Sequence, residues 1–186
     1  MNKGVIYYTR IREEYQNIHL EHMIGDKLLE TALKQERNIK LSEEPRGVGE
    51  HGKPFLSYRP GVHYNISHSG AYVVCVLADQ EVGIDIQIHR EVNYDRMLRR
   101  MVTEKEREEI LKRPDLEQEF FRQWVIREAF IKWTGEGLSR DLRKISEKEG
   151  VCRFLNLPER EKGYSCALWS ADPIEITWKY ADIMLD

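Results

Sequence analysis

Asp85 and Gln87 stand two residues apart in the run Val-Gly-Ile-Asp-Ile-Gln-Ile at 82–88. Read as a strand, that run places successive side chains on opposite faces. Val82, Ile84, Ile86 and Ile88 then share an apolar face, and Gly83, Asp85 and Gln87 share the other. Two oxygen-bearing side chains so spaced have Cα atoms roughly 7 Å apart. They can converge on a hard cation such as Mg²⁺, which takes carboxylate oxygen and keeps several waters. A solvated polar strand face explains the same alternation, so both readings stay open. Glu128 is the second carboxylate of interest. At helical spacing, Phe120, Phe121, Trp124, Val125 and Ile131 form one broad apolar face, with Glu128 near its middle and Lys132 one turn later at its edge. An ionised carboxylate there is costly unless it is paired or bound to a metal. A local Glu128–Lys132 pair is the plain alternative. Such i,i+4 pairs contribute only a few tenths of a kcal/mol, a poor reason to set Glu between Trp124 and Ile131.

Other polar groups carry weaker signals. Asn65-Ile66-Ser67-His68-Ser69-Gly70 gathers hydrogen-bonding side chains, and a His flanked by Ser can donate to a phosphate. Asn, Ser and Gly also favour turns by themselves, so ordinary turn chemistry competes. Lys53, in Gly52-Lys53-Pro54, reads on its own as a surface lysine in a stiff turn. Thr103-Glu104-Lys105-Glu106 fits a capping box, which gives Glu106 a structural explanation. Cys75, Cys152 and Cys166 are too few and too widely spaced for a disulfide framework or a zinc site. No Walker-type loop, G-x-G-x-x-G, H-E-x-x-H or G-x-S-x-G occurs.

These residues need elements to hold them. Residues 5–8 read as a strand and 17–37 as an amphipathic helix, with Leu20, Met23, Ile24, Leu28, Ala32 and Leu33 recurring at three and four. Residues 45–60 read as a turn-rich connection. Strands are expected at 62–66, 72–78 and 82–88, the first two joined by a turn at 67–70. Helices are expected at 95–101, 104–112 and 117–134, and strands again at 151–155, 164–170 and 174–180. The class is α+β, with each half setting a helix ahead of a small antiparallel group. The expectation is one domain over 1–186, in two pseudo-symmetric halves of about 1–80 and 81–186, with the site between them. The 186 residues carry 32 acidic and 29 basic groups, a net charge of −3. That balance gives no basic field for nucleic acid. No run approaches the ~20 apolar residues of a membrane helix, and the N-terminus lacks a signal-peptide core. A soluble, cytoplasmic protein is expected.

Four blocks occur in order: Gly52-Lys53-Pro54; Asn65-Ile66-Ser67-His68-Ser69; Gly83-Ile84-Asp85-Ile86; and Trp124-x-x-Arg127-Glu128-Ala129-x-x-Lys132 with Gly135-x-Gly137-Leu138. Together they resemble the 4′-phosphopantetheinyl transferase superfamily, of the Sfp type that activates peptide synthetases. The resemblance implies transfer of phosphopantetheine from coenzyme A to a serine of an acyl or peptidyl carrier protein, releasing 3′,5′-ADP. It implies that Asp85, Gln87 and Glu128 hold Mg²⁺, with Gln87 standing where many members have Glu. It implies that Lys132 meets the coenzyme's diphosphate, that Lys53, Ser67, His68 and Arg127 bind the coenzyme, and that Glu106 acts as base. Glu21 stands where an arginine is common, which leaves Arg10, Arg12 or His22 to take the coenzyme's 3′-phosphate. A monomer is implied, with an acidic carrier docking on 94–113. The N-terminal half is short for this type. Two rival readings are a homologue that binds coenzyme A or a carrier without efficient transfer, and another Mg²⁺-dependent phosphotransfer enzyme.

Overall fold

The computed structural model describes residues 2–15, 18–146, 148–159 and 161–185. Its first part runs β1 (Asn2–Arg10), α1 (Ile18–Arg37), a small hairpin of β2 (Arg46–Val48) and β3 (Pro54–Leu56), β4 (His63–Ser69) and β5 (Tyr72–Ala78). Its second part runs β6 (Val82–Ile88), α2 (Tyr94–Met101), α3 (Glu104–Leu111), α4 (Leu116–Thr134), β7 (Val151–Phe154), β8 (Tyr164–Ser170) and β9 (Ile174–Tyr180). The chain is therefore α+β. One sheet has the order β4-β5-β1-β9 and another β6-β8-β7.

Strand alternation explains the layering. In the first sheet Tyr7, Val73, Cys75 and Leu77 face α1, packing on Ile24, Leu28, Leu29, Ala32 and Leu33. The alternate residues Ile6, Tyr72, Val74 and Val76 face the second sheet, against Val82, Ile84, Ile86 and Leu168. On the far side of the second sheet, Ala167 and Trp169 pack on Val125, Ala129 and Phe130 of α4. The two sheets are thus sandwiched between α1 and α4. β5 is buried along its whole length, which is why it reads as an unbroken apolar run. Gly83 sets the distance between β6 and α4. A Cβ there would lie 2.2 Å from both the Ala129 carbonyl and the Trp133 amide nitrogen, so only glycine lets the helix backbone lie flush on the strand. Trp169 fixes the same helix by donating its indole N–H to the Ile126 carbonyl at 2.8 Å.

Most element boundaries agree with the sequence reading to within two residues, and three features differ. The 67–70 segment is not a four-residue turn: β4 continues through Ser67, His68 and Ser69, which pair with Val74, Val73 and Tyr72. Only Gly70 and Ala71 turn the chain, with Gly70 at φ 58°. The connection at 45–60 holds the β2–β3 hairpin. β9 leaves the second half and pairs in parallel with β1, from Asn2 opposite Ile174 to Tyr8 opposite Tyr180. Residue 17, the expected start of the first helix, lies outside the described residues.

Candidate active site

The polar face of β6 is covered by α4 rather than by water, and this resolves the first ambiguity of the sequence. Asp85 is 5% exposed. Its Oδ1 accepts from the Ser67 hydroxyl at 2.9 Å and from the Lys132 ammonium at 2.6 Å. Lys132 also donates to Ser67 Oγ at 2.9 Å. The lysine therefore reaches across to β6 and β4, away from the local pairing its i,i+4 spacing allowed. Asp85 Oδ2 is buried with no hydrogen-bond partner among the described residues. Such an atom is costly to leave unmet. Glu128 lies within electrostatic reach. Burial raises its carboxyl above the usual carboxylate range and Asp85 raises it further, while Lys132 opposes both. Two carboxylates thus share one ammonium, which leaves a deficit of positive charge.

Gln87 continues the same face. Its amide nitrogen donates to Ser69 Oγ and to the Ile88 carbonyl, each at 3.1 Å. Asp85, Gln87, Ser67, His68 and Lys132 line one cavity of about 450 Å³ together with Glu21 and His22 from α1. Glu21 sits 3.0 Å from His68 Nδ1. The His22 and His68 rings meet edge to face at 5.1 Å. Burial pulls the His68 imidazole below its usual value, Glu21 works against that, and His22 and Lys132 add to it. Among the described residues no group of three His, Cys, Asp or Glu is arranged as a metal site. The residues that could offer oxygen to a hard cation are Asp85 and Gln87, which line the cavity, and Glu128, which interacts electrostatically with Asp85.

Other expected residues lie apart from this cluster. Lys53 donates to the carbonyls of Val82, at 3.3 Å, and Trp133, at 2.8 Å, and pairs with Glu81. It ties the 52–54 turn to β6 and to the end of α4, where Gly135 adopts the left-handed cap at φ 71°. Arg127 is 6% exposed and points to the opposite flank of α4, donating to the Met101 and Gln123 carbonyls and to the Gln123 side chain. Burial pulls its guanidinium below the usual value. Glu106 occupies that flank too. It closes the capping box with Thr103, accepting from its amide at 2.8 Å and its hydroxyl at 2.6 Å. Burial raises the Glu106 carboxyl, and the Thr103 bonds more than reverse this, so it stays below the usual range. Arg10 pairs with Glu161 and Arg12 with Asp182, so His22 alone of the three candidates lines the cavity. In the 94–113 region Leu98 and Met101 are buried in the α2–α4 core, Met97 is half-buried, and Arg96 and Arg100 are exposed.

Residues 81–180, which hold β6, α4, Asp85, Gln87 and Glu128, match the family model for the 4′-phosphopantetheinyl transferase superfamily. The chain belongs to that superfamily. Among curated 4′-phosphopantetheinyl transferases, psf-1 of Bacillus pumilus is 35% identical over 155 residues, covering 81% of this chain and 66% of that protein. Sfp of Bacillus subtilis strain 168 is 28% identical over 167 residues, covering 81% of this chain and 74% of Sfp. A third transferase, also from Bacillus subtilis, is 35% identical over 126 residues, covering 67% of this chain and 56% of that protein. The chain thus spans between about half and three-quarters of the length of these relatives. No helix among the described residues is long and apolar enough to cross a membrane.

Sequence reasoning missed the acceptor roles of Asn65 and Ser69. Asn65 Oδ1 takes the Ile84 amide at 2.8 Å, Ser67 Oγ takes that of Ile86 at 3.2 Å, and Ser69 Oγ takes that of Ile88 at 3.0 Å. The signal was present as short polar side chains at a period of two.

Proposed function

We propose that this superfamily member moves the 4′-phosphopantetheine arm of coenzyme A onto a serine of an acyl or peptidyl carrier protein, with release of 3′,5′-ADP and with Mg²⁺ as cofactor. The observation that carries this reading is a buried Asp85 oxygen with no partner among the described residues, on a side chain that lines a cavity with Lys132 and His68 and interacts electrostatically with the Glu128 carboxylate. Asp85, Glu128 and Gln87 would hold the ion. When bound, Mg²⁺ neutralises diphosphate oxygens and makes the nucleotide a better leaving group. Lys132 is already aimed into the cluster and offsets charge that develops on the breaking bond. Ser67 and His68 orient the coenzyme's phosphates, with His22 beside them. Burial holds the His68 imidazole below its usual value, and a bound anion favours its charged form.

The carrier serine gives up its proton to a carboxylate. Glu106 is our candidate on the family resemblance: its cap keeps it ionised, and it stands on the flank of α4 away from the Asp85 cavity. An acidic carrier docks on 94–113 through Met97 and the exposed Arg96 and Arg100. The halves are related by a pseudo-two-fold. The matching orders β4-β5-β1 and β7-β8-β6, each with one long helix on one face, support that relation. We place the protein in the cytoplasm as a monomer on the resemblance.

Intact-mass analysis tests the reading. Apo-carriers of fatty-acid, polyketide and peptide synthesis are each incubated with the protein, coenzyme A and Mg²⁺. At least one carrier should gain a phosphopantetheine arm. No gain on any carrier contradicts the assignment.

A further inference from the structure

β4 is the edge of the first sheet and β6 the edge of the second, and no backbone ladder joins them among the described residues. An edge strand facing another edge leaves a row of N–H groups to satisfy. Here side chains do it. Asn65, Ser67 and Ser69 meet the amides of Ile84, Ile86 and Ile88, a constant offset of nineteen residues along strands running the same way. The spacing fixes register, because a one-residue slip of β4 would present Ile66 and His68 to β6 instead. Ser67 belongs to the site already described. Ser69 has a separate use: its hydroxyl takes both the Ile88 amide and the Gln87 side-chain amide. Holding the NH₂ end of Gln87 on Ser69 and Ile88 determines which end is free to act as an oxygen donor.

We propose that Ser69 is a positioning residue, the last tooth of a side-chain clamp between the halves, and that it presents the Gln87 carbonyl oxygen to the cation beside Asp85. This rests on the metal reading above. Residues that orient a metal ligand commonly change affinity about ten- to a hundredfold when removed.

The test uses the full chain with Ser69→Ala and Ser69→Thr. Ser69→Val stands in if the alanine variant does not fold, because it keeps the strand-favouring shape of Thr without the hydroxyl. Amide exchange at Ile84 and Ile88 is read by NMR. Mn²⁺ is the metal probe, titrated while the Asp85 and Gln87 amide signals are watched for paramagnetic broadening. In Ser69→Ala the Ile88 amide should exchange roughly tenfold faster and the Mn²⁺ midpoint should rise roughly tenfold. Ile84, held by Asn65, should keep its wild-type exchange and certify the fold. Ser69→Thr should restore both values. Unchanged Ile88 exchange, an unchanged midpoint, or failure of Thr to restore them overturns the proposal. A wild type that binds Mn²⁺ at Asp85 yet transfers nothing sinks the proposed function and leaves the clamp standing. A wild type with no broadening sinks the clamp's metal role.

Discussion

The two flanks of α4 carry polar residues of similar type in opposite conditions. On one flank Arg127 is buried and donates to Met101 and Gln123, and Glu106 has both Thr103 donors. On the other, Asp85 keeps an oxygen with no partner among the described residues, Glu128 is held above the usual carboxylate range, and Lys132 is shared between Asp85 and Ser67. Arg127 and Glu128 are sequence neighbours, yet a step of about 100° sends one to a finished network and the other to an unfinished one. A satisfied buried polar group explains itself by the fold. An unsatisfied one, in a cavity with a charge deficit, calls for a ligand.

The largest expected effect breaks the unfinished flank. Glu128→Gln should cut carrier modification at least about a hundredfold, since a metal-facing charge is lost while shape is kept. The same change should stabilise the metal-free protein near neutral pH. A carboxyl whose folded value is raised contributes stability that is full below its unfolded value and is lost as pH rises through the folded one. Thermal melts without Mg²⁺ should therefore show the variant gaining over the wild type as pH rises from about 4 toward 8.

Glu106→Gln comes next. Gln can still close the capping box, so the melting temperature should hold, while kcat falls roughly tenfold or more if the base assignment is right. A normal kcat would reduce Glu106 to its cap. Arg127→Met sharpens the comparison from the finished side. Losing the donor to Met101 should destabilise by about 1–3 kcal/mol in a denaturant titration. Transfer per folded molecule should stay within a factor of about two, because Arg127 bonds Met101 and Gln123 and none of the residues that line the Asp85 cavity. The smallest effect is a slope. His68 lies below its usual value in the free protein, and a bound phosphate favours its charged form. Affinity for coenzyme A should rise a few-fold as pH falls from about 7.5 to 6, and His68→Asn should flatten that slope.

Much of this site was legible in the sequence where one period dominates. The alternation at 82–88 located β6 with Asp85 on its polar face, and the apolar face around Glu128 located α4. What failed were properties set by distant partners. Ser67, His68 and Ser69 look like turn formers, but their backbone pairs with Val74, Val73 and Tyr72 of β5, and the Ser67 and Ser69 oxygens take amides of β6. β9 has an ordinary strand pattern, and nothing local reveals a parallel pairing with a strand more than 160 residues earlier. The direction taken by Arg127 depends on α2 and α3 covering the second flank of α4, which helical periodicity alone does not assign. Lys53 looked like a surface lysine because its acceptors, the Val82 and Trp133 carbonyls, are backbone atoms with no sequence signature.

The most direct test puts the two flanks side by side in one intact-mass time course. Wild type, Glu128→Gln and Arg127→Met are each given coenzyme A and a competent apo-carrier, with and without Mg²⁺. Wild type and Arg127→Met should load the carrier only when Mg²⁺ is present, and Glu128→Gln should leave it unloaded in both conditions. Loading by Glu128→Gln at the wild-type rate, or loading by wild type in the absence of any divalent ion, would contradict the account.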